Sequence, residues 1–394
     1  YNGEIYNTDE LRAEYRFSEE GPADLGEFYR LARAFTLYDP DGNGQKDTYG
    51  YVTEENRDMD SWLHVAYDSP WKMWVADEEG NYHNTATSDG SMLATSLLNK
   101  MISEGYMSRE VGINTVGNKQ DDFAMGKAGM MYAHNWYNVI SANMMSAVSG
   151  LSIEGARDRI LICDPPAGAD GSFGGQSNVY YYRGWCIREG MSVERLEACL
   201  NLMEYLHSPE GIELVTYGVY GEHWEWVNDE VGGERVTLCE PDGQGFVQEL
   251  RWTDYAAFAS YLTYTPPEAK ALLTNGDILV ERDSASAATM TISDYPDLYT
   301  ESMIKYQAGA YDFFDETVLT MITNSSLTAD WTFDAKTWKT DWKEKMYSVS
   351  DAMRSAWDDF AAQYMDVYYG SLMEQEYNEA VKSGNMVKVG KMPD

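Results

Sequence analysis

Residues 25–52 have the sequence LGEFYRLARAFTLYDPDGNGQKDTYGYV, which places a helix, a polar loop and a strand in direct succession. Apolar side chains recur at helical spacing from Leu25 to Phe35 and predict a helix over residues 25–38. Tyr49–Val52 has the composition of a short strand. Strands alternate with helices along the rest of the chain as well, so the sequence predicts an α/β protein.

The loop between this helix and this strand has oxygen-bearing side chains at every second position, with glycines between them. Such spacing is how a loop wraps a hard cation such as calcium. When the loop is counted as an EF-hand, Gly44 stands at position 6, where the sharp turn needs a positive φ. Gly50 stands at position 12, where the EF-hand has its bidentate Glu. We predict bound calcium with its last ligand from elsewhere or from water, and a tight Asx-rich turn without metal is the alternative. The predicted ligands are Asp39, Asp41, Asn43, the carbonyl of Gln45, and Asp47.

The composition narrows the possible functions. With 394 residues, the chain is long enough for two or three cores. It has 29 basic and 65 acidic residues, and the resulting net charge of −36 argues against nucleic acid or an anionic membrane as a partner. No run of 18 apolar residues occurs, so no membrane-spanning segment is expected. The four cysteines include no CxxC pair, so no zinc site is expected either.

Aromatic residues are unusually frequent at 13% of the chain, with 12 Trp and 30 Tyr. Many stand beside Asn, Gly or Asp, as Trp136 does after Asn135. An aromatic ring offers a flat apolar face and a polar edge. Core packing is the alternative for any one ring, but the repeated excess beside polar residues favours a surface that binds flat, hydroxylated ligands.

Further elements follow from cap residues, glycine stops and periodicity. Serines at positions 88, 192 and 208 are the expected helix caps, and Gly105 is an expected helix end. The predicted helices cover residues 88–103, 120–125, 192–206 and 350–369, with others near 136 and from 208. The predicted strands cover residues 129–133, 159–163 and 179–187, and a hairpin is predicted over 222–236.

Four blocks occur in a characteristic order: the helix with the DPDGNG loop, QDDFAMGKAGMMYAHNW at 120–136, DPPAGADGSFGG at 164–175, and LMEYLHSPEGIELVTYGVYGEHWEWV at 202–227. In this order the chain resembles the extracellular solute-binding proteins of carbohydrate ABC importers, the class that includes maltose-binding protein. It is most similar to the lipid-anchored branch of Gram-positive bacteria. The resemblance covers residues 5–226 well and the C-terminal helices weakly.

The resemblance implies a periplasmic-binding-protein-like fold of the class II type, with two α/β lobes joined by a hinge. Residues 1–15 then form a crossover from lobe 1, and residues 16–177 form the first part of lobe 2. Residues 178–310 return to lobe 1 with insertions, and residues 311–394 form a C-terminal helical part, mostly in lobe 2. In this family the crossover follows on the order of 100 residues. We therefore expect the native protein to be longer at its N-terminus.

The resemblance also implies a sugar site between the lobes, where rings stack on the C–H faces of the sugar and polar side chains bond its hydroxyls. Trp136 is the leading candidate, with Asn135 beside it as a hydroxyl partner. The loop at DPDGNG is implied to be a structural metal site. The other implied ligand contacts are Trp62, Tyr67 and Trp71, Arg183 and Trp185 after the second crossover, and Tyr220, Glu222 and Trp224.

The predicted function is that of an extracellular, non-enzymatic component that binds a carbohydrate and delivers it to the ABC permease. We expect an oligosaccharide because of the many rings, and the few basic residues argue against a polyanionic glycan. The protein is expected to be monomeric and either lipid-anchored on the cell surface or periplasmic, with the anchor outside this chain.

Two alternatives belong to other classes. A glycoside hydrolase would need two carboxylates at a fixed separation, and no motif isolates such a pair among the 65 acids. An interaction module is suggested by the likeness of DPDGNG to dockerin calcium loops, but those occur in pairs and this chain has one such loop.

Overall fold

The protein was analysed as a computed structural model, which describes most of the chain. Clustering of contacts divides the chain into a first unit, residues 1–179 with 286–394, and a second unit, residues 180–285. Each unit is considered by itself below. The described residues are 21–38, 40, 44–55, 60–132, 144–152, 155–156, 159–161, 163–177, 187–206, 208–217, 219–227, 235–238, 290–295 and 298–384.

The described elements alternate along the chain as the sequence predicts. The helices are α1 (Leu25–Leu37), α2 (Ser61–Ala66), α3 (Asp89–Ser103), α4 (Val116–Ala124), α5 (Val193–Leu206), α6 (Pro209–Tyr217), α7 (Glu301–Thr323), α8 (Trp338–Met346), α9 (Asp351–Asp366) and α10 (Gly370–Lys382). The strands are β1 (Tyr49–Val52), β2 (Trp74–Ala76), β3 (Tyr82–Asn84), β4 (Ala128–Met131), β5 (Gln176–Ser177), β6 (Trp224–Trp226), β7 (Arg235–Thr237) and β8 (Thr291–Ile292).

The opening helix and strand of the first unit are confirmed. Asp24 caps α1, because its carboxylate accepts a hydrogen bond from the backbone N–H of Glu27 at 2.8 Å. Helix and strand then approach so closely that a Cβ on Gly50 would lie 2.2 Å from Cα of Ala32. Only glycine fits this crossing, since any side chain there would overlap the helix backbone.

The two strands β1 and β4 are parallel neighbours, with Tyr49 opposite Ala128 and Tyr51 opposite Met130. A parallel pair needs a long crossover connection, and here α2, the β2–β3 hairpin, α3 and α4 supply it. Helix α4 begins four residues before the predicted 120–125 helix, because the hydroxyl of Thr115 accepts from the N–H of Asn118 and caps it there. The strand predicted at 129–133 begins one residue earlier, at Ala128.

The largest core of the first unit lies around α3 and α7, and two of the buried polar side chains of α3 reach the chain at the end of α7 and beyond it. The Asn99 amide donates to the carbonyls of Met321 and Asn324, each at 2.8 Å. The Lys100 ammonium donates to the carbonyls of Ala329 at 3.0 Å and Trp331 at 2.7 Å. These bonds fasten the segment after α7 onto α3, and they satisfy backbone groups that burial would otherwise leave without partners.

The predicted helix caps are confirmed wherever they are described. Ser88 accepts from the N–H of Ser91 at 3.1 Å. Ser350, which was not predicted as a cap, accepts from the N–H of Met353 at 3.0 Å. Ser208 does the same for Gly211 at 3.1 Å, which starts α6 at Pro209. The hydrophobic face predicted for residues 350–369 is buried at Met353, Trp357, Phe360 and Tyr364, but Val367 is exposed because α9 ends at Asp366.

One predicted strand is wrong. In the described part of 159–163 no residue joins a ladder, and Leu161 is exposed. Two prolines follow at positions 165 and 166, and the chain makes its sheet contact beyond them, where Ala167 bridges Asp24. The strand predicted at 179–187 lies outside the described residues except for Ile187, and the helix near 136 lies outside them entirely.

The second unit contains α5, α6 and the predicted hairpin. Its strands β6 and β7 pair antiparallel, with Trp224 opposite Thr237 and Trp226 opposite Arg235. The predicted lobe borders at 15, 177 and 310 stay predictions; α7 runs through residue 310 without a break. In the part of the chain that the structure describes, no helix is long and apolar enough to cross a membrane.

A small charged contact ties the β2–β3 hairpin to α10. The ring of His83 meets the Asp77 carboxylate at 3.1 Å and the Glu374 carboxylate at 2.5 Å. Burial lowers the pKa of His83, but the hydrogen bond and charge of each carboxylate outweigh this, so its pKa is raised. The Asn378 side chain completes the contact by bonding the N–H and the carbonyl of Tyr82, at 2.7 and 2.8 Å.

Replacing Lys100 with Met is expected to destabilise the protein by about 3 kcal/mol, because two buried carbonyls lose a charged donor while the packing volume is kept. Urea unfolding followed by tryptophan fluorescence measures this change. The exposed Lys339→Met is the matched control and should change stability by less than about 0.5 kcal/mol. Equal effects of the two substitutions would contradict the role given to Lys100.

Replacing His83 with Gln is expected to lower the melting temperature in a pH-dependent way. A group whose pKa is raised on folding stabilises the folded state below its unfolded pKa, near 6.5, and loses this contribution as the pH rises through the folded value. The difference between wild type and H83Q should therefore be largest near pH 5.5 and should fade toward pH 9. A pH-independent difference in differential scanning fluorimetry would show that the ring acts by packing alone.

Candidate functional site

Polar residues follow the carboxyl ends of β1 and β4 and lie at one edge of the first unit. Because the strands are parallel, Thr53 and Glu54 leave β1 on the same side as Tyr132 leaves β4. In open α/β sheets, ligands bind outside the carboxyl ends of the strands. This edge is therefore a candidate position for a binding site.

A buried carboxylate organises this edge. Asp60 is 1% exposed, and its carboxylate accepts from the Tyr51 hydroxyl at 2.6 Å and from the Thr53 hydroxyl at 2.8 Å. The Tyr51 oxygen in turn accepts from the indole N–H of Trp62 at 3.1 Å. Burial and then the charge of Asp60 hold the pKa of Tyr51 well above its usual value, so Tyr51 stays a neutral donor.

A second chain of contacts joins this carboxylate to α4. The Asn114 amide donates to the carbonyl of Thr53 at 2.6 Å. Lys119 on α4 forms an ion pair with Glu54 at 2.8 Å and approaches the carbonyl of Tyr132 at 3.4 Å. We name the connected residues the strand-end cluster, which consists of Tyr51, Thr53, Glu54, Asp60, Trp62, Asn114, Lys119 and Tyr132.

Among the predicted sugar-stacking rings, Trp62 is the one that belongs to this cluster. It is 2% exposed, and it packs edge-on against Phe28 with ring centroids 5.0 Å apart. A ring this deeply buried has no face open to a sugar. The structure thus corrects the expectation that Trp62 is available for stacking and gives it a supporting place behind the edge.

Tyr67 and Trp71 are also core residues. The Tyr67 hydroxyl donates to the carbonyl of Met346 at 2.8 Å, and Trp71 packs edge-on against Phe314 at 4.9 Å. Both rings are about 95% buried. Their availability for stacking is corrected in the same way, because their faces are covered by packing.

Four predicted contacts lie outside the described residues: Asn135, Trp136, Arg183 and Trp185. Their roles stay predictions. Asn135 and Trp136 follow Tyr132, a member of the strand-end cluster, by three and four residues in the sequence.

The predicted contacts of the second unit form one corner. Tyr220 is half exposed and Glu222 is exposed, whereas Trp224 is 3% exposed between the rings of Tyr220 and Trp226, at 5.2 and 5.0 Å. Tyr220 and Glu222 present groups to solvent. Trp224 packs the corner, which corrects the expectation that its ring is free to stack.

The loop at residues 39–47, for which calcium is predicted and which we call the cation loop, is described in part. Gly44 has φ of +76°, as predicted for the sharp turn, while Gln45 and Asp47 are exposed; Asp39, Asp41 and Asn43 lie outside the described residues. In the described part of the chain, no cluster of three or more His, Cys, Asp or Glu side chains is arranged to hold a metal. The absence of a Glu at Gly50 has a physical reason, since that position crosses α1 at the backbone.

Sequence analysis missed most of the strand-end cluster. Asp60 precedes α2 in the pattern Asp-Ser-Trp and has the appearance of a helix cap, but its side chain makes no cap hydrogen bond and turns to Tyr51 and Thr53. Glu54 and Lys119 are far apart in sequence, and charged residues are ordinarily exposed. Neither has a local pattern that marks it as buried.

Comparison with known proteins gives sequence relatives in Bacillus subtilis (strain 168). The lipoprotein LipO is 24% identical over 214 residues, which cover 52% of this chain and 41% of LipO. The polygalacturonan/rhamnogalacturonan-binding protein YtcQ is 22% identical over 235 residues, which cover 58% of this chain and 45% of YtcQ. The match thus spans less than half the length of each relative. No model of a protein family matches the chain.

Solved structures with the same fold are similar over most of the chain. The alginate-binding protein AlgQ2 has a TM-score of 0.50 at 12% identity, covering 94% of this chain and 70% of AlgQ2. The Streptococcus pneumoniae ABC-transporter substrate-binding protein FusA, in complex with kestose, has a TM-score of 0.50 at 14% identity, covering 96% and 72%. These likenesses confirm the α/β, periplasmic-binding-protein-like fold. Both solved neighbours are binding proteins.

Replacing Asp60 with Asn is expected to destabilise the protein by about 2 kcal/mol, because the two hydroxyl donors lose a charged acceptor. Asp312→Asn, on an exposed turn of α7, is the matched control and should be nearly neutral. Urea unfolding of both variants tests this. A D60N protein as stable as wild type would show that the buried carboxylate does not organise the edge.

Proposed function

We propose that this protein is the extracellular substrate-binding component of an ABC importer and that it binds an oligosaccharide at the carboxyl edge of β1 and β4. The observation that carries the proposal is the strand-end cluster, where hydroxyl, amide and carboxylate groups lie at the position favoured for ligands in this fold class. The names of YtcQ, AlgQ2 and FusA, each tied to a carbohydrate, support the ligand class.

The proposed contacts combine rings and polar groups. Trp136 stacks on the ligand and Asn135 bonds a hydroxyl, on the segment that follows Tyr132; Arg183 and Trp185, and the exposed Tyr220 and Glu222, are proposed as further contacts. Trp62 does not contact the ligand but holds Tyr51 in place through its indole N–H hydrogen bond. Binding of this kind excludes water from both partners, so each sugar hydroxyl must find a protein partner or cost affinity.

The setting of the protein is part of the same proposal. An importer component passes its ligand to permease subunits at the membrane, and the name lipoprotein of LipO supports a lipid anchor outside this chain. We propose a monomer on the cell surface or in the periplasm. Closure of two lobes around the ligand is the family's way of presenting it to the permease.

Calcium is proposed as a structural ion in the loop that joins α1 to β1. The left-handed turn at Gly44 and the exposed oxygens of Gln45 and Asp47 fit such a loop, and Asp39, Asp41 and Asn43 would supply the remaining ligands. A bound ion would pin the entrance to β1. The AlgQ2 structure was solved without calcium ion, which supports calcium as a ligand considered for a protein of this fold.

Removal of calcium with EGTA is expected to lower the melting temperature while ligand recognition persists, because the loop lies at the opposite end of β1 from the strand-end cluster. Thermal shift with EGTA, then with added Ca²⁺ or Mg²⁺, measures the effect. Loss of carbohydrate binding without loss of fold would place the ion in the ligand site instead.

The proposed function is tested by titrating the protein with oligosaccharides under calorimetry and tryptophan fluorescence. We expect binding near micromolar affinity, about −8 kcal/mol, with no sugar product released. Trp136→Ala should weaken binding at least about tenfold, whereas the exposed Tyr299→Ala should leave it unchanged. Release of shorter sugars would favour a glycoside hydrolase, and the absence of any carbohydrate binding would contradict the proposal.

A further inference from the structure

The ion pair between Glu54 and Lys119 is the charged core of the strand-end cluster. Its nitrogen and oxygen are 2.8 Å apart, and the two side chains are 6% and 2% exposed. The contact is electrostatic in character, because Oε2 of Glu54 does not have the geometry of a directed hydrogen bond. The same ammonium approaches the carbonyl of Tyr132, which precedes Asn135 and Trp136 by three and four residues in the sequence.

This pair removes a cation from the ligand edge. Lys119 is the one member of the strand-end cluster with a basic side chain, and Glu54 cancels its charge. Asp60 adds a carboxylate that already accepts from two hydroxyls. The buried charges of the cluster therefore place no net positive charge beneath the proposed ligand edge.

The charge balance matters because the named ligands of the similar proteins fall into two chemical groups. Alginate and polygalacturonan are chains of uronic acids, with one carboxylate on each sugar, whereas kestose is uncharged. Binding a carboxylate in a site that excludes water requires a cation whose charge no neighbouring carboxylate cancels. Arg183 is the one basic residue among the proposed ligand contacts, whereas a uronate trisaccharide brings three carboxylates. Hydroxyl groups of an uncharged sugar need only neutral donors and acceptors.

Burying an ion pair is costly compared with apolar side chains of similar size, so stability alone does not explain its presence here. The overall charge of −36 acts in the same direction as the pair, since it repels polyanionic ligands during approach. Both the local and the long-range charges oppose a uronate chain.

We propose that the Glu54–Lys119 pair is a specificity determinant that makes this site accept uncharged, hydroxyl-rich oligosaccharides and reject uronate chains. The inference rests on the proposed function and names its substrate class. Neither residue touches the ligand; the pair acts through the charge it cancels beneath the ligand edge. Removing the charge of Glu54 and removing the charge of Lys119 should therefore change selectivity in opposite directions, which is not expected of a pair with a purely structural role.

The experiment compares uncharged and uronate oligosaccharides of equal length, maltotriose and kestose against trigalacturonate and trimannuronate, by calorimetry of the 394-residue protein at fixed ionic strength. For wild type we expect at least one uncharged sugar to bind about 100-fold or more tightly than either uronate. Glu54→Gln leaves the charge of Lys119 uncancelled and should shift this ratio at least about tenfold toward the uronates. Lys119→Gln leaves the carboxylate of Glu54 uncancelled and should not shift this ratio toward the uronates.

Two further variants separate this effect from others. The double variant E54Q/K119Q has no charge at the pair and should keep the wild-type ratio. Glu344→Gln, at an exposed position on α8, changes the net charge by the same amount as E54Q and should leave the ratio unchanged. Thermal unfolding confirms that each protein folds. If E54Q does not fold, the affinities of the wild type for uncharged and uronate sugars still test the proposed specificity.

The possible outcomes are distinct. Uronates that bind wild type as tightly as uncharged sugars overturn the specificity and leave the proposed function standing. A ratio that moves no further in E54Q than in E344Q, or that moves equally in E54Q and K119Q, overturns the role of the pair. Failure of wild type to bind either class overturns the proposed function itself.

Discussion

The parallel pairing of β1 with β4 is the constraint on which the rest of the first unit depends. It sends the carboxyl ends of both strands to one edge, so that Thr53 and Tyr132 emerge side by side although they are far apart in sequence. The pairing leaves little room behind it, because α1 crosses β1 at Gly50 with backbone against backbone. One end of β1 thus belongs to the cation loop, and the other belongs to the proposed ligand edge.

The polar groups buried at that edge contribute to stability and also underlie the proposed ligand site. Asp60 and the Glu54–Lys119 pair are covered by the protein, and each is held by partners at hydrogen-bonding or ion-pair distance. Such groups stabilise little compared with apolar packing, but they fix geometry and charge closely because an unsatisfied partner is costly. The edge is therefore rigid before ligand arrives, which lowers the ordering cost of binding.

Local patterns in the sequence were enough to predict the elements that frame this site. The periodicity of α1, the glycine at position 44 and the serine caps at 88 and 208 each act within a few residues, and each is found in the structure. The predicted strand at 159–163 failed because composition alone does not supply a neighbour to pair with.

The site itself was less accessible to prediction because its contacts are long-range. Nothing local indicates that Lys119 meets Glu54 or that Asp60 turns away from its own helix. The aromatic rings were mispredicted for a related reason. Trp62 and Trp71 stand beside polar residues in the sequence, yet both rings are buried. The polar neighbours of Trp62, Asp60 and Ser61, are buried as well, so polar neighbours in the sequence do not mark an exposed ring.

Hydrogen–deuterium exchange with and without a bound oligosaccharide tests the location of the site most directly. The central claim is that a sugar covers the carboxyl edge of β1 and β4. Ligand should then slow exchange in peptides that span residues 53–62 and 114–143, and should leave the β2–β3 hairpin and α10 unchanged. Protection confined to the hairpin and α10, with residues 53–62 and 114–143 unaffected, would contradict the account.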